Sequence, residues 1–185
     1  MNIAFQKTRA RGAAKAVRAL CCLPDAGPEL IRHWPAADMR GKSVAGFWPI
    51  KDEIDVRPLM DALADAGHSV CLPRIVRKAH PLEFRRYAPG DALKGGPYGT
   101  AEPFKTAPLI TPQIVLLPLL AFSNAGERLG YGGGFYDRTI AALRKNGDVL
   151  ACGVAYAGQQ SSDIPTDQYD QRLDAILTPS GFRKF

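Results

Sequence analysis

Residues 113–122 read QIVLLPLLAF, an almost uninterrupted apolar run. It is too short to cross a bilayer, which takes about 20 apolar residues. A strand with one face in water would alternate polar and apolar positions, and this one does not. Both faces of the sheet it joins must therefore be covered. SVAGFWP (43–49), SVCLP (69–73), VLACGVAY (149–156) and LDAILTP (173–179) also read as strands, and PLEFRRY (81–87) alternates. Between them, VRPLMDALADAGH puts Leu59, Met60, Leu63 and Ala64 on one helical face and stops at Gly67; YDRTIAALRKNG stops at Gly147. Strands alternating with helices predict an α/β fold, a mainly parallel sheet with helices on both faces in three layers. The proline- and glycine-rich stretch 88–112 reads as loop.

At 185 residues the chain is expected to form a single domain, 1–185, with a basic helix over residues 1–22. No run approaches 18 consecutive apolar residues, and the start lacks the apolar core of a signal peptide. Cys21, Cys22, Cys71 and Cys152 form no CxxC pair and no zinc spacing with histidine. The adjacent Cys21 and Cys22 suit a reducing compartment, so a cytoplasmic location is expected.

The net charge of +6 is concentrated at the start. Residues 1–20 hold Lys7, Arg9, Arg11, Lys15 and Arg18 and no acid, which leaves +1 for the other 165 residues. Lys7, Arg11, Lys15 and Arg18 recur at helical spacing and share one face. Like charges so placed repel, and an anion nearby relieves them. A solvated basic face, an arginine-rich targeting peptide and an anion-binding helix all remain open at this point.

Residues 128–138 read RLGYGGGFYDR, with four glycines in five positions. The run follows the 113–122 strand and opens a helix near Phe135. In open α/β sheets ligands sit beyond the carboxyl ends of strands. Glycines let backbone approach a ligand, and a helix start offers free N–H groups to phosphate. No Gly-Lys-Ser/Thr follows, so it is not a P-loop, and Phe135 replaces the third glycine of the dinucleotide fingerprint. Asp137 caps the helix in the bland reading. Beside a phosphate it calls for a cation such as Mg2+ between the two charges.

RLGYGGGFYDR, preceded by LPLLAFSNAGE, resembles the 5-formyltetrahydrofolate cyclo-ligase (methenyltetrahydrofolate synthetase) family. KTRAR (7–11), DEIDVRPLMDALADAGHSVCLPRI (52–75), GPYGTAEP (96–103) and YDQRLDAILTP (169–179) resemble further segments of that family, in order. The resemblance implies ATP-dependent closure of 5-formyltetrahydrofolate to 5,10-methenyltetrahydrofolate, with ADP and phosphate released and Mg2+ as cofactor. It implies small-molecule partners, with or without a polyglutamate tail on the folate, and neither nucleic acid nor membrane; a monomer is expected.

By the same resemblance, ATP is bound by Lys7, Arg11, Arg128, Leu129, Gly130, Tyr131, Gly132, Gly133, Gly134, Phe135 and Tyr136. Folate is bound by Trp48, Glu53 and residues 131–135. Asp137 and Asp174 are the implied Mg2+ ligands, and Arg128, Arg138 and Tyr136 the implied catalytic groups. Position 135 is Phe where many members carry Tyr, and GYGGG lacks the basic residues of the animal form. Arg85, Arg86 and Lys94 are open candidates for a folate tail. Two rivals stand beside this reading: a phosphate-binding isomerase of related architecture, and a nucleic-acid-binding module using the basic helix.

Overall fold

In the computed structural model, which describes residues 2–185, the apolar runs meet in one seven-stranded sheet. The chain opens with α1 (Ile3–Cys21), whose first turn is capped by Asn2: its Oδ1 accepts from the Ala4 N–H at 2.9 Å. Two short helices follow, α2 (Glu29–His33) and α3 (Ala36–Met39). Next come β1 (Val44–Ala45), α4 (Arg57–Asp65), β2 (Val70–Arg74) and β3 (Glu83–Arg86). A small hairpin, β4 (Lys94–Gly95) with β5 (Ala101–Glu102), precedes the central strand β6 (Ile114–Pro118). A second hairpin, β7 (Ala121–Phe122) with β8 (Arg128–Leu129), leads to α5 (Phe135–Asn146), and β9 (Leu150–Val154), β10 (Ala175–Thr178) and β11 (Gly181–Lys184) complete the chain.

The sheet order is β11-β10-β9-β6-β1-β2-β3. The five inner strands are parallel, and the two edges, β11 and β3, run antiparallel. Leu59, Met60 and Leu63 of α4 and Leu30 of α2 pack with Val44, Leu72, Ile114 and Leu116 on one face. Ile140 and Leu143 of α5 pack with Ala45, Val115 and Leu117 on the other. The expected three-layer arrangement is therefore present, and it explains why Ile114 to Leu117 are all apolar: each is wholly buried, worth about 1.5–3 kcal/mol per large side chain.

Three expectations change in detail. The 113–122 run is not one strand, because Pro118 has no N–H to continue the ladder. Its second half turns into the β7–β8 hairpin, so the glycine loop follows β8 rather than the central strand. The 43–49 run pairs only through Val44 and Ala45, and Phe47–Pro49 leave the sheet. The 88–112 stretch contains the β4–β5 hairpin and a 3-10 turn at Pro97–Gly99.

Gly46 sits where β1 ends, and a Cβ there would lie 2.2 Å from Met60 Sδ. Gly46→Ala is expected to overpack this joint and lower stability by about 1–3 kcal/mol. Urea unfolding should show a lower midpoint with an unchanged slope.

Candidate functional site

Three of the parallel strands deliver their carboxyl ends to one cavity of about 1220 Å3. Phe47 and Trp48 follow β1, Pro73 is the next-to-last residue of β2 and Pro118 closes β6, and all line it. The rest of the wall comes from α1 (Lys7, Arg11), the 50–53 loop, the β4–β5 hairpin, the glycine loop with the start of α5, and residues 167–171.

The glycine loop is shaped by two left-handed residues, Gly132 (φ 99°) and Gly134 (φ 63°), a region that costs other residues strain. Gly134 is the N-cap of α5, and no side chain caps that end. The helix start thus presents backbone N–H groups, the arrangement that suits phosphate. The loop is cradled by cations. Arg11 Nε donates to the Gly130 carbonyl at 3.0 Å, Arg138 donates to the Gly133 carbonyl at 2.5 Å, and Arg128 pairs with Asp137 Oδ1 at 2.6 Å. A Cβ on Gly132 would press on the Arg11 guanidinium at 3.0 Å.

Lys7 is buried and gripped by two carboxylates, Asp167 Oδ2 at 2.7 Å and Asp170 Oδ2 at 2.5 Å. Burial alone would lower the Lys7 pKa, but the two aspartates outweigh it and the net shift is upward. Lys7 in turn holds the Asp167 carboxyl below its usual range. The two ends of the basic face of α1 are turned into the protein: Lys7 and Arg18 are buried and Arg11 is half-buried, while Lys15 between them is exposed, as are Phe5, Val17 and Leu20.

At the other end of the cavity Glu53 is buried, and its Oε2 accepts from the Ile50 N–H at 2.9 Å. Burial pushes its pKa up, against the pull of that N–H and of the Arg18 guanidinium. Trp48 stands edge-on to Tyr87 at 6.4 Å, with Arg57 5.2 Å above its ring. Burial and the neighbouring Glu53 push the Tyr131 phenol up to about 12, and burial pushes Tyr136 up too, so both remain neutral hydroxyls near neutral pH. Phe135 packs against Tyr98 of the small hairpin, ring centroids 6.3 Å apart.

Most residues expected at a site thus converge here: Lys7, Arg11, Trp48, Glu53 and Arg128 through Arg138 all line the one cavity, Leu129 with them. Asp174 does not. It precedes β10, level with Ala151 near the amino ends of the strands, and its carboxylate accepts from the Ala151 N–H at 2.7 Å and from Arg144 at 2.9 Å. The cavity is lined at the carboxyl ends of β1, β2 and β6, and Asp137 is among its lining residues while Asp174 is not. Arg85, Arg86 and Lys94 do not line the cavity either; Arg85 is engaged by Glu83 and the Ala107 carbonyl.

The sequence reading missed Asp167 and Asp170 as partners of Lys7, Arg18 as a partner of Asp52, and buried Glu102, which accepts from the Ile75 N–H at 3.0 Å. The legible signal was the excess charge of α1, which required carboxylates elsewhere; helical spacing could not say which.

A model of the 5-formyltetrahydrofolate cyclo-ligase family matches residues 28–179. The chain is 34% identical to the 5-formyltetrahydrofolate cyclo-ligase of Haemophilus influenzae over 143 residues, 75% of this chain and 76% of that protein. It is 30% identical to the Mycolicibacterium smegmatis protein of the same name, covering 82% and 81%. The solved structure of 5,10-methenyltetrahydrofolate synthetase from Aquifex aeolicus superposes with a TM-score of 0.75 at 27% identity, over 96% of this chain and 92% of that one.

The Lys7 ion pairs have a defined pH window. Asp167 is depressed below 3.8, so its contribution is present above that value and lost as pH falls through the folded pKa. Lys7 is raised above 10.5, so its contribution holds below that value and is lost as pH climbs past the folded pKa. The melting-temperature gap between wild type and Lys7→Met should be full near neutrality and shrink at pH values below 3.8. A gap that stays constant into that acid range would show that packing, not charge, accounts for it.

Proposed function

Given that the chain belongs to the 5-formyltetrahydrofolate cyclo-ligase family, we infer that it uses ATP to close 5-formyltetrahydrofolate to 5,10-methenyltetrahydrofolate, releasing ADP and phosphate. One observation carries the reading. The cavity's volume of about 1220 Å3 exceeds that of an ordinary single-ligand pocket, and its lining falls into two chemically different sets. One set is the glycine-loop backbone with Lys7, Arg11, Arg128 and Arg138; the other is Trp48, Glu53 and the Tyr131 ring. The first suits a polyphosphate. The second suits a flat heterocycle whose adjacent N–H donors meet a carboxylate.

The chemistry follows from that division. An N-formyl amide is a poor electrophile. Its oxygen attacks the γ-phosphorus as the bond to ADP breaks, which gives an imidate-like phosphate. N10 then adds to the formyl carbon and loses its proton, and the C–O bond breaks with its electron pair leaving on phosphate. Lys7 and Arg11 hold the phosphates, the loop N–H groups and Arg138 take up charge as the phosphoryl group transfers, and Arg128 orients Asp137. Tyr136, neutral and half-buried, borders the transfer site as a hydroxyl donor. Glu53 fixes the pterin edge, with Trp48 and Phe135 against its faces.

Asp137 fits a Mg2+ role. Its Oδ1 accepts from Arg128 and from the Gln171 N–H, while its other oxygen has no hydrogen-bond partner among the described residues. One carboxylate plus phosphate oxygens is the usual Mg2+ arrangement, and the ion would shield Asp137 from the phosphates and offset their charge. Asp174 serves instead as a strut between α5 and the strand ends.

The deciding assay follows the absorbance of methenyltetrahydrofolate. It should rise only when ATP, Mg2+ and 5-formyltetrahydrofolate are all present; an equal rate without ATP overturns the reading. Asp137→Asn should cut turnover and raise the Mg2+ requirement with little change in melting temperature. Asp174→Asn should leave the Mg2+ titration unchanged and cost stability of about 0.5–1.5 kcal/mol, the worth of one hydrogen bond.

A further inference from the structure

Arg18 stands behind the cavity wall rather than in it. It lies in the last turn of α1 with its side chain 2% exposed. Nη2 donates to Asp52 Oδ1 at 2.5 Å, and Nη1 stands 3.7 Å from Glu53 Oε1. Nε and Nη1 have no hydrogen-bond partner among the described residues. The guanidinium carbon lies 5.3 Å from the centre of the Tyr131 ring. A buried guanidinium is expensive unless its donors and its charge are used. Asp52 alone takes one donor. The remaining edge of the group is directed at Glu53 and at the ring of Tyr131, two residues that line the cavity.

We propose that Arg18 is a positioning residue for the ring-recognition carboxylate: it supplies the counter-charge for Glu53 and holds the Tyr131 ring beside it, without touching the substrate. This rests on the reading that Glu53 takes the pterin edge. Glu53 is nearly as buried as Arg18, so without a cation its charged form would be costly. The other charged or titratable groups around Glu53 are Lys51 and Asp52 of its own loop, Lys15 of α1 beyond the Tyr131 ring, Tyr131 itself and Tyr136 of α5. Asp52 opposes the ionisation of Glu53, and Arg18 favours it. The pair therefore makes opposite, testable demands.

The test measures the dissociation constants of 5-formyltetrahydrofolate and, separately, of ATP, between about pH 4 and 8, a window that covers the ordinary glutamate range and the region above it. Arg18→Met should weaken folate about tenfold or more, the size of one charge-assisted contact, and move the acid limit of folate binding to higher pH. ATP binding should stay within about twofold, well under the cost of a lost contact. Arg18→Lys should restore most of both folate effects. Asp52→Asn, a change at a partly exposed residue, should move the acid limit the other way, to lower pH, and it decides the matter even if Arg18→Met does not fold. Arg18→Met that weakens both ligands equally with an unmoved acid limit, or Asp52→Asn without a downward shift, overturns the proposal. Glu53→Gln separates the two inferences. If it binds folate as the wild type does, the pterin role of Glu53 fails and Arg18 falls with it. If it weakens folate while Arg18→Met does not, only the role of Arg18 fails.

Discussion

Pro118 has no amide hydrogen, and with it the parallel ladder of the central strand stops. Everything that makes the site follows from where that stop falls. The chain is still apolar at Leu119 and Leu120, which are buried, so it cannot run out into water. It folds over the sheet's carboxyl edge as a short hairpin and returns as the glycine loop, directly above the strand ends. The end of β1 behaves alike: Phe47 and Trp48 leave the ladder, still pack on the core, and also form cavity wall. A longer central strand would have filled the space that the cavity occupies.

In and behind the walls of that space the charges are matched before any ligand arrives. Lys7 is held by Asp167 and Asp170, Arg128 by Asp137, and Arg18 by Asp52. Such pairing makes buried cations tolerable. It also means that an incoming polyanion competes with the protein's own carboxylates for Lys7 and Arg128. On the proposed function, a divalent cation on Asp137 would release Arg128 toward phosphate, so ion and nucleotide would assist each other electrostatically.

The layer structure could be read from the chain because apolar runs and helical faces are local patterns. Leu59, Met60 and Leu63 share a face whatever the tertiary context, and all three are buried. RLGYGGGFYDR also announced its role locally, through its glycines and the helix start at Phe135. What could not be read is set by distance through space. The spacing of Lys7, Arg11 and Arg18 shows a common face but not the carboxylates it meets. Asp174 has the right type and neighbourhood in sequence for a metal ligand, yet it is engaged by Arg144 and the Ala151 N–H near the amino end of β9, outside the cavity lining. The break at Pro118 was visible as a proline, but an apolar run on both its sides masked it.

The tether between α1 and the far wall joins residues 160 and 163 positions apart. On a growing chain, Lys7 is made long before its two partners. The layers can condense around β6 while α1 still waits, since α1 contributes no strand to them. Closing so long a loop is entropically slow, and its reward comes only once both partners are made. The stretch of cavity wall that Lys7 holds is therefore late to mature, and a chain that already has most of its core still lacks that wall.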